Sequence, residues 1–271
     1  MVPRVPTYQL QYLDMKKLLL ISLAFAFIAT DCNARRRTHH RPPEPTQVIP
    51  SVQDSTKIDD AIAAAEAESV PAGEILRLTE DDYKEVAEML GVEPAAVKAV
   101  VEIEAGPSHQ GFSEPGMPLI NFDFSMFTQF CRRNGVNLSK YRKSHPLVFN
   151  APSSRKYGSR QKAQHARLRA ARTIDERTAI EGTFWGMFQI GGFNWRKCGA
   201  SNINDFVERM SRSERDQLEL FAQFLKTTKL DKQLKAKNWA AFARGYNGPS
   251  YARRGYHTRM ARAYAKYSKT K

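Results

Sequence analysis

The stretch EPAAVKAVVEIEAGPSHQGF, residues 93–112, decides how this sequence is interpreted, because it places two carboxylates at the end of a run of valines. Pro94 stands in what would be the first helical turn, where its missing N–H is tolerated. The glycine that follows the second carboxylate is a helix stop signal. We therefore predict a helix that ends just after Glu102 and Glu104.

The two glutamates point in different directions on a helical wheel. With Val97 at 0° and about 100° per residue, Glu104 lies near 340° and Glu102 near 140°. Val100 and Val101 fall on either side of Glu104, which puts this carboxyl group in the middle of the apolar stripe. Glu104 should therefore face inward, and Glu102 should be a solvated or peripheral carboxylate.

A carboxyl group on an apolar helix face must find partners or stay protonated, because burial disfavours its charged form and raises its pKa. A raised pKa would let Glu104 donate a proton near neutral pH, as the general acid of glycosidic bond cleavage does. The alternative is a structural glutamate that is held by an arginine or by backbone N–H groups.

Helical periodicity dominates the rest of the chain, so we predict a mostly α fold with a small β element in one globular domain over residues 74–271. A strand is expected at PLINFDF, residues 118–124, and a helix at DERTAIEGTFWGMFQI, residues 175–190. Further helices are predicted in the segments TEDDYKEVAEMLG, SSRKYGSRQKAQHARLRAARTI, NINDFVERMSRSERDQLELFAQFLKTT and NWAAFARGYNGPSYARRGYHTRMARAYAKYSK.

The N-terminal third is predicted to be a signal peptide followed by a tether. The segment MKKLLLISLAFAFIATDCNA, residues 15–34, has lysines, an apolar run and small residues, which is typical of a secretory signal peptide, and its apolar run is short for a membrane span. We expect residues 1–34 to be the signal region, with the true start at Met15, and residues 35–73 to be a flexible linker. Lipidation at Cys32 is the less favoured alternative.

An exported chain would keep two cysteines, Cys131 and Cys198. They could form one disulfide in an oxidising compartment, or they could be two separate buried thiols. No Cys/His cluster with zinc spacing is present in the sequence, so we expect no structural metal, and no cofactor site is visible.

The charge is strongly asymmetric along the chain. Residues 131–271 carry 31 basic and 9 acidic side chains, whereas residues 46–105 carry 14 acidic and 4 basic ones. A positive field of this kind favours an anionic polymer such as nucleic acid, a membrane surface or an acidic cell wall. Nucleic acid is disfavoured because the basic run at residues 153–172 has a single interleaved tyrosine, Tyr157, and the chain is predicted to be exported.

Two further motifs place polar side chains beside glycines. WGMFQIGGFN, residues 185–194, offers the amides of Gln189 and Asn194 and the ring of Trp185 to sugar hydroxyls and sugar faces. GYNGP, residues 245–249, places Tyr246 and Asn247 on a turn. Each motif taken alone is more often structural, the first as a tight turn and the second as a helix stop.

In this order, the motifs resemble the lysozyme-like superfamily, and most of all the bacterial and phage N-acetylmuramidase domain family. VEIEAG, FWGMFQIGG and NWAAFARGYNGPSY are similar to that family's V-E-S-G, S-W-G-x-F-Q-I-M-G and D-W-x-x-F-A-R-x-Y-N-G-P-x-Y patterns. The resemblance implies a lysozyme-like fold and cleavage of the β-1,4 bond between N-acetylmuramic acid and N-acetylglucosamine. It also implies that Glu104 is the catalytic acid, and that Gln189, Tyr246, Asn247, Trp185 and Asn194 contact substrate.

The sequence departs from the family at the second acidic position. The family's L-F-E-x-H becomes NFDFS here, with Asp123 at the acid position and Ser125 at the histidine position. Asp123 is therefore the first candidate for a second catalytic carboxylate, followed by Glu114 and Glu181. A lytic transglycosylase, which needs only one acid, and a non-catalytic wall-binding module are the alternatives.

The expected partner is the glycan strand of peptidoglycan. We expect a periplasmic or secreted monomer that binds no nucleic acid and makes no stable membrane contact unless Cys32 is lipidated.

Overall fold

A computed structural model of this 271-residue chain describes residues 73–106, 110–150 and 160–269. Within these ranges the chain is mostly helical with two small antiparallel sheets, as the sequence predicts. The α-helices are α1 (Glu80–Leu90), α2 (Pro94–Glu104), α3 (Phe124–Arg133), α4 (Pro146–Phe149), α5 (Arg160–Arg172), α6 (Glu176–Glu181), α7 (Ile203–Arg212), α8 (Glu214–Thr227), α9 (Leu230–Lys235), α10 (Trp239–Asn247) and α11 (Tyr256–Tyr267).

Local sequence signals set the ends of the first two helices. Thr79 accepts a hydrogen bond from the Asp82 N–H at 3.2 Å, and the Asp82 carboxylate accepts one from the Thr79 N–H at 2.7 Å, which makes a capping box at the start of α1. Gly91 ends α1 with a φ of 62°, which a glycine adopts at little cost. Helix α2 runs from Pro94 to Glu104, so its prediction is confirmed.

The strands form a hairpin and a separate three-stranded sheet. In the larger sheet the order is β3-β4-β5, all antiparallel, with Ile120 opposite Trp185 and Phe184 opposite Gly191. The strands are β1 (Phe112–Glu114), β2 (Met117–Pro118), β3 (Ile120–Phe122), β4 (Thr183–Trp185) and β5 (Ile190–Gly191).

Two predicted elements differ from the observed ones. The strand predicted at residues 118–124 is shorter, because Asp123 caps α3: its Oδ1 accepts a hydrogen bond from the Met126 N–H at 2.9 Å. The helix predicted at residues 175–190 is wrong beyond Glu181, because the chain then turns at Gly182 and enters β4. A Cβ at Gly182 would lie 2.9 Å from the backbone of Phe127, so this crossing needs a glycine.

Helix α2 lies at the centre of the core. It packs against α1 on one side and against the C-terminal helix α11 on another, and α11 also contacts α10. The side chains of Ala99, Val100 and Val101 are fully buried along α2, and large apolar side chains such as Phe127, Phe188, Phe206 and Phe242 fill the surrounding space. This packing brings the C-terminal end of α2 to the C-terminal end of α10.

The two cysteines of the domain are separate buried thiols. Cys131 and Cys198 are both free, and the Cys131 sulfur lies 3.6 Å from the hydroxyl oxygen of Thr178. Of the two alternatives that the sequence leaves open, the structure has the unbridged one.

The predicted signal peptide and linker, over residues 1–34 and 35–73, lie outside the described residues apart from Gly73. In the described ranges, none of the helices combines the length and the apolar character that a membrane crossing requires.

Candidate active site

The last residue of α2 is Glu104, and its side chain is buried. Only 6% of it is exposed, whereas Glu102 is partly exposed and accepts hydrogen bonds from Lys266 Nζ at 2.8 Å and from the Tyr267 hydroxyl at 2.7 Å. The prediction that the two glutamates have different surroundings is therefore confirmed. Gly106, with a φ of 75°, lets the chain leave the helix directly after the buried acid.

Burial raises the pKa of Glu104 from its ordinary value of 4.5 to about 7. A hydrogen bond from Asn247 and the positive charge of Arg259 act in the opposite direction, because both favour the ionised form. The desolvation effect is the larger one. A carboxyl group with this pKa keeps its proton in a substantial part of the molecules at neutral pH, which is the requirement for a general acid.

Asn247 is the partner that fixes the orientation of Glu104. Its Nδ2 donates a hydrogen bond to Glu104 Oε1 at 3.1 Å. The other two polar atoms of this pair, Glu104 Oε2 and Asn247 Oδ1, are buried and have no hydrogen-bond partner among the described residues. A substrate that accepts a proton from Oε2 and donates a hydroxyl to Oδ1 would satisfy both atoms.

Tyr246 has a structural role in the fold, and the sugar contact expected from the sequence stays a prediction. Its hydroxyl donates a hydrogen bond to the Phe188 carbonyl oxygen at 3.0 Å, and its ring lies edge-on to Phe221, 5.4 Å between centroids. The side chain is almost fully buried. Tyr246 therefore ties α10 to the turn at residues 186–189, and this bond sets the position of the neighbouring Asn247.

Gln189 also has hydrogen-bond partners within the protein. Its backbone has a φ of 50°, and its Nε2 donates hydrogen bonds to the carbonyl oxygens of Gly186 at 2.9 Å and Leu119 at 3.4 Å. Gly186 has a φ of 69° in the same turn. These hydrogen bonds close the turn, and a substrate contact of Gln189 stays a prediction.

Trp185 and Asn194 are likewise buried. Trp185 is 2% exposed, its indole N–H donates to the Ile180 carbonyl oxygen at 3.2 Å, and its ring lies edge-on to Phe206. Asn194 is 6% exposed and lies in a 3-10 turn that follows β5. Both side chains are packed in the interior, as Glu104 is, and their contact with substrate stays a prediction.

Two buried polar residues of α8 position the site, and the sequence analysis missed them. Gln217 is fully buried: its Oε1 accepts from the Met187 N–H at 2.8 Å, and its Nε2 donates to the Gly111 carbonyl oxygen at 3.2 Å. Glu214 accepts from the Gly111 N–H at 2.9 Å and pairs with Arg77 at 2.8 Å. Helix α8 thus anchors two segments that contain glycine, the loop at Gly111 and the turn at residues 186–189.

A sequence signal for these two residues exists. Glu214 and Gln217 stand at the same helical spacing as Phe221 and Leu225, on the buried face of α8. A polar residue on an apolar stripe is the signal that pointed to Glu104, and it applies equally here.

The three candidates for a second catalytic carboxylate contact groups other than Glu104. Asp123 caps α3, Glu181 accepts from Arg177 Nε at 3.0 Å, and Glu114 lies 3.6 Å from Lys162 Nζ. None of the three is among the charged groups that shift the pKa of Glu104. In the part of the chain that the structure describes, no three His, Cys, Asp or Glu side chains converge as a metal site would require.

Comparisons with known proteins agree with this geometry. The chain matches the model of the family described as Muramidase, N-acetylmuramidase, over residues 93–268. It is similar to the crystal structure of the Burkholderia AP3 phage endolysin, with 29% sequence identity and a TM-score of 0.62, over 81% of this chain and 87% of that chain. No curated protein matches it.

The matched segment is well over half of the chain and contains Glu104, the turn at residues 186–189 and Asn247. The protein is accordingly a lysozyme-like glycoside hydrolase of peptidoglycan. The chain belongs to the N-acetylmuramidase family.

Proposed function

We propose that this protein hydrolyses the β-1,4 bond between N-acetylmuramic acid and N-acetylglucosamine in peptidoglycan, with Glu104 as the general acid. The observation that carries the proposal is the burial of Glu104 at the end of α2, which raises its pKa to about 7. A protonated carboxyl group beside a glycosidic oxygen can donate the proton that turns the sugar into a leaving group.

The two oxygens of Glu104 would have separate tasks. Oε1 is held by Asn247, so the proton would reside on Oε2, which has no hydrogen-bond partner among the described residues. Protonation of the bridging oxygen by Oε2 would leave Glu104 ionised. The Asn247 hydrogen bond and the charge of Arg259 both stabilise that ionised form, so the same contacts would assist the transfer.

We propose Asp123 as the second carboxylate, as its place in the family pattern suggests. Asp123 is also the N-cap of α3, so a useful variant has to remove the carboxylate and keep the helix cap. Asp123→Asn does this, because asparagine caps a helix about as well as aspartate but cannot act as a base or a nucleophile. We expect unchanged thermal stability and a strong loss of activity. Full activity would move the second role to Glu114 or Glu181, tested by the corresponding glutamine variants.

Export to the cell wall is part of the proposal and rests on the sequence of residues 15–34. The excess of positive charge in residues 131–271 would then meet an anionic wall. Fractionation of producing cells and N-terminal sequencing of the mature chain test this step. A mature protein that begins near residue 35 supports export, and a cytoplasmic chain with an intact N-terminus contradicts it.

The test of the proposed chemistry compares two glutamine variants on purified peptidoglycan. Glu104→Gln should abolish the release of soluble fragments while the protein stays folded. Glu102→Gln is the matched control, two residues away on the same helix, and should keep most of the activity, because Glu102 is partly exposed and accepts hydrogen bonds from Lys266 and Tyr267 of α11. A more damaging effect of the control variant would show that the wrong acid has been chosen.

A further inference from the structure

A cavity of about 460 Å³ lies between the C-terminal part of α2 and the outer face of α11. Helix α2 contributes Glu102 and Ile103 to its lining, and α11 contributes Arg259, Arg262, Lys266 and Tyr267. Its volume is in the range of small-ligand sites in proteins. Apart from the charge of Arg259, which stabilises ionised Glu104, this cationic pocket has no part in the proton transfer described above.

The lining has an excess of positive charge. The three basic residues stand three and four positions apart on α11, so they share one helix face. Lys266 is already paired with Glu102 at 2.8 Å. Within the described residues, neither Arg259 nor Arg262 forms an ion pair with a carboxylate, although Arg259 lies over the ring of Tyr256 at 5.8 Å. Two guanidinium groups thus line the cavity without an anionic protein partner.

The cationic pocket lies beside the catalytic carboxyl group. Ile103 immediately precedes Glu104, and Arg259 is the residue whose positive charge acts on the ionisation of Glu104. A ligand in this pocket would therefore be close to the sugar whose bond is cleaved. Muramic acid carries a peptide through its lactyl group, and that peptide bears carboxylates. Guanidinium groups bind carboxylates with two parallel hydrogen bonds, a geometry that an ammonium group does not provide.

We propose that the cationic pocket binds a carboxylate of the stem peptide on the muramic acid next to the cleaved bond, with Arg259 and Arg262 as its ligands. This inference rests on the proposed function. It assigns the enzyme a preference for glycan strands that carry peptides over strands from which the peptides have been removed.

The test uses the Arg262→Gln variant of the full chain and two soluble substrates. One is a set of uncrosslinked glycan strands with intact stem peptides, prepared from a wall that contains no phosphate polymer. The other is the same strands after an amidase has removed the peptides. Arg262 is exposed, so its replacement should not affect folding. Arg132→Gln is the matched control, since Arg132 is an exposed arginine on α3 outside the pocket.

We expect Arg262→Gln to raise KM about fivefold on peptide-bearing strands, as for the loss of one partly exposed charge pair, with kcat unchanged. On stripped strands the variant, the control and the wild type should be equal. An equal change on both substrates, or a change only with walls that contain phosphate polymers, overturns the proposal. A wild type that cuts neither substrate contradicts the proposed function instead, so the two failures are distinguishable.

Discussion

Glu104→Gln should increase stability in a pH-dependent way while it removes activity. Burial raises the pKa of Glu104 from 4.5 to about 7. One pKa unit corresponds to about 1.4 kcal/mol, so ionising this group in the folded state costs about 3 kcal/mol. The folded protein binds the proton more tightly than the unfolded chain does. The contribution of Glu104 to the free energy of unfolding is therefore fully present below pH 4.5 and is lost as the pH rises through about 7.

Glutamine avoids this loss because it does not ionise and can keep the hydrogen bond with Asn247. Denaturant unfolding of both proteins at pH 4 and pH 8 measures the effect. The free energies of unfolding should be nearly equal at pH 4, and the variant should be more stable by about 3 kcal/mol at pH 8. Glu102→Gln, the control, should show no such gain, because Glu102 is partly exposed and paired with Lys266. A difference between Glu104→Gln and wild type that does not change with pH would refute the burial argument.

Three other predictions concern activity and packing. The rate of peptidoglycan cleavage should fall as the pH rises through about 7, because Glu104 loses the proton that it must donate; a rate that is constant from pH 6 to pH 9 would exclude it as the acid. Tyr246→Phe should lower the free energy of unfolding by about 1 kcal/mol through loss of the hydrogen bond to Phe188, with cleavage kept within a few-fold; a folded but inactive variant would contradict the structural role. Binding to whole walls should weaken steeply as the salt concentration rises to about 0.15 M, where exposed charges are screened over about 8 Å. Cleavage of a short neutral glycan should change less. Equal salt sensitivity of the two would show that the positive charge of residues 131–271 does not attract the protein to the wall.

Much of the helical architecture could be predicted, because local signals determine it. The capping box at Thr79, the proline and glycine that bracket α2, and the serine between α7 and α8 all act over a few residues. The wheel argument for Glu104 succeeded for the same reason, since the direction of a side chain on a helix depends only on its position along that helix.

The predictions that differ from the structure concern contacts between residues that are far apart in the sequence. Strand β4 pairs with β3, which lies about sixty residues earlier. Gly182 caps α6 within the segment DERTAIEGTFWGMFQI, but this local signal does not show that a strand follows it. Gln189 and Tyr246 were expected to face a glycan, but their partners are backbone oxygens of Gly186, Leu119 and Phe188. The motifs marked the region around Glu104, and the structure shows that these side chains make bonds that hold this region together; their contacts with a glycan stay predictions.

The most direct test of the proposed reaction is the identity of the new chain ends. Purified peptidoglycan is digested in water enriched in ¹⁸O, and the fragments are separated and weighed before and after borohydride reduction. The proposed hydrolysis yields fragments that end in reducing N-acetylmuramic acid, each with one oxygen from water. Fragments that end in reducing N-acetylglucosamine would contradict the assigned bond, and 1,6-anhydro products without solvent oxygen would contradict hydrolysis itself.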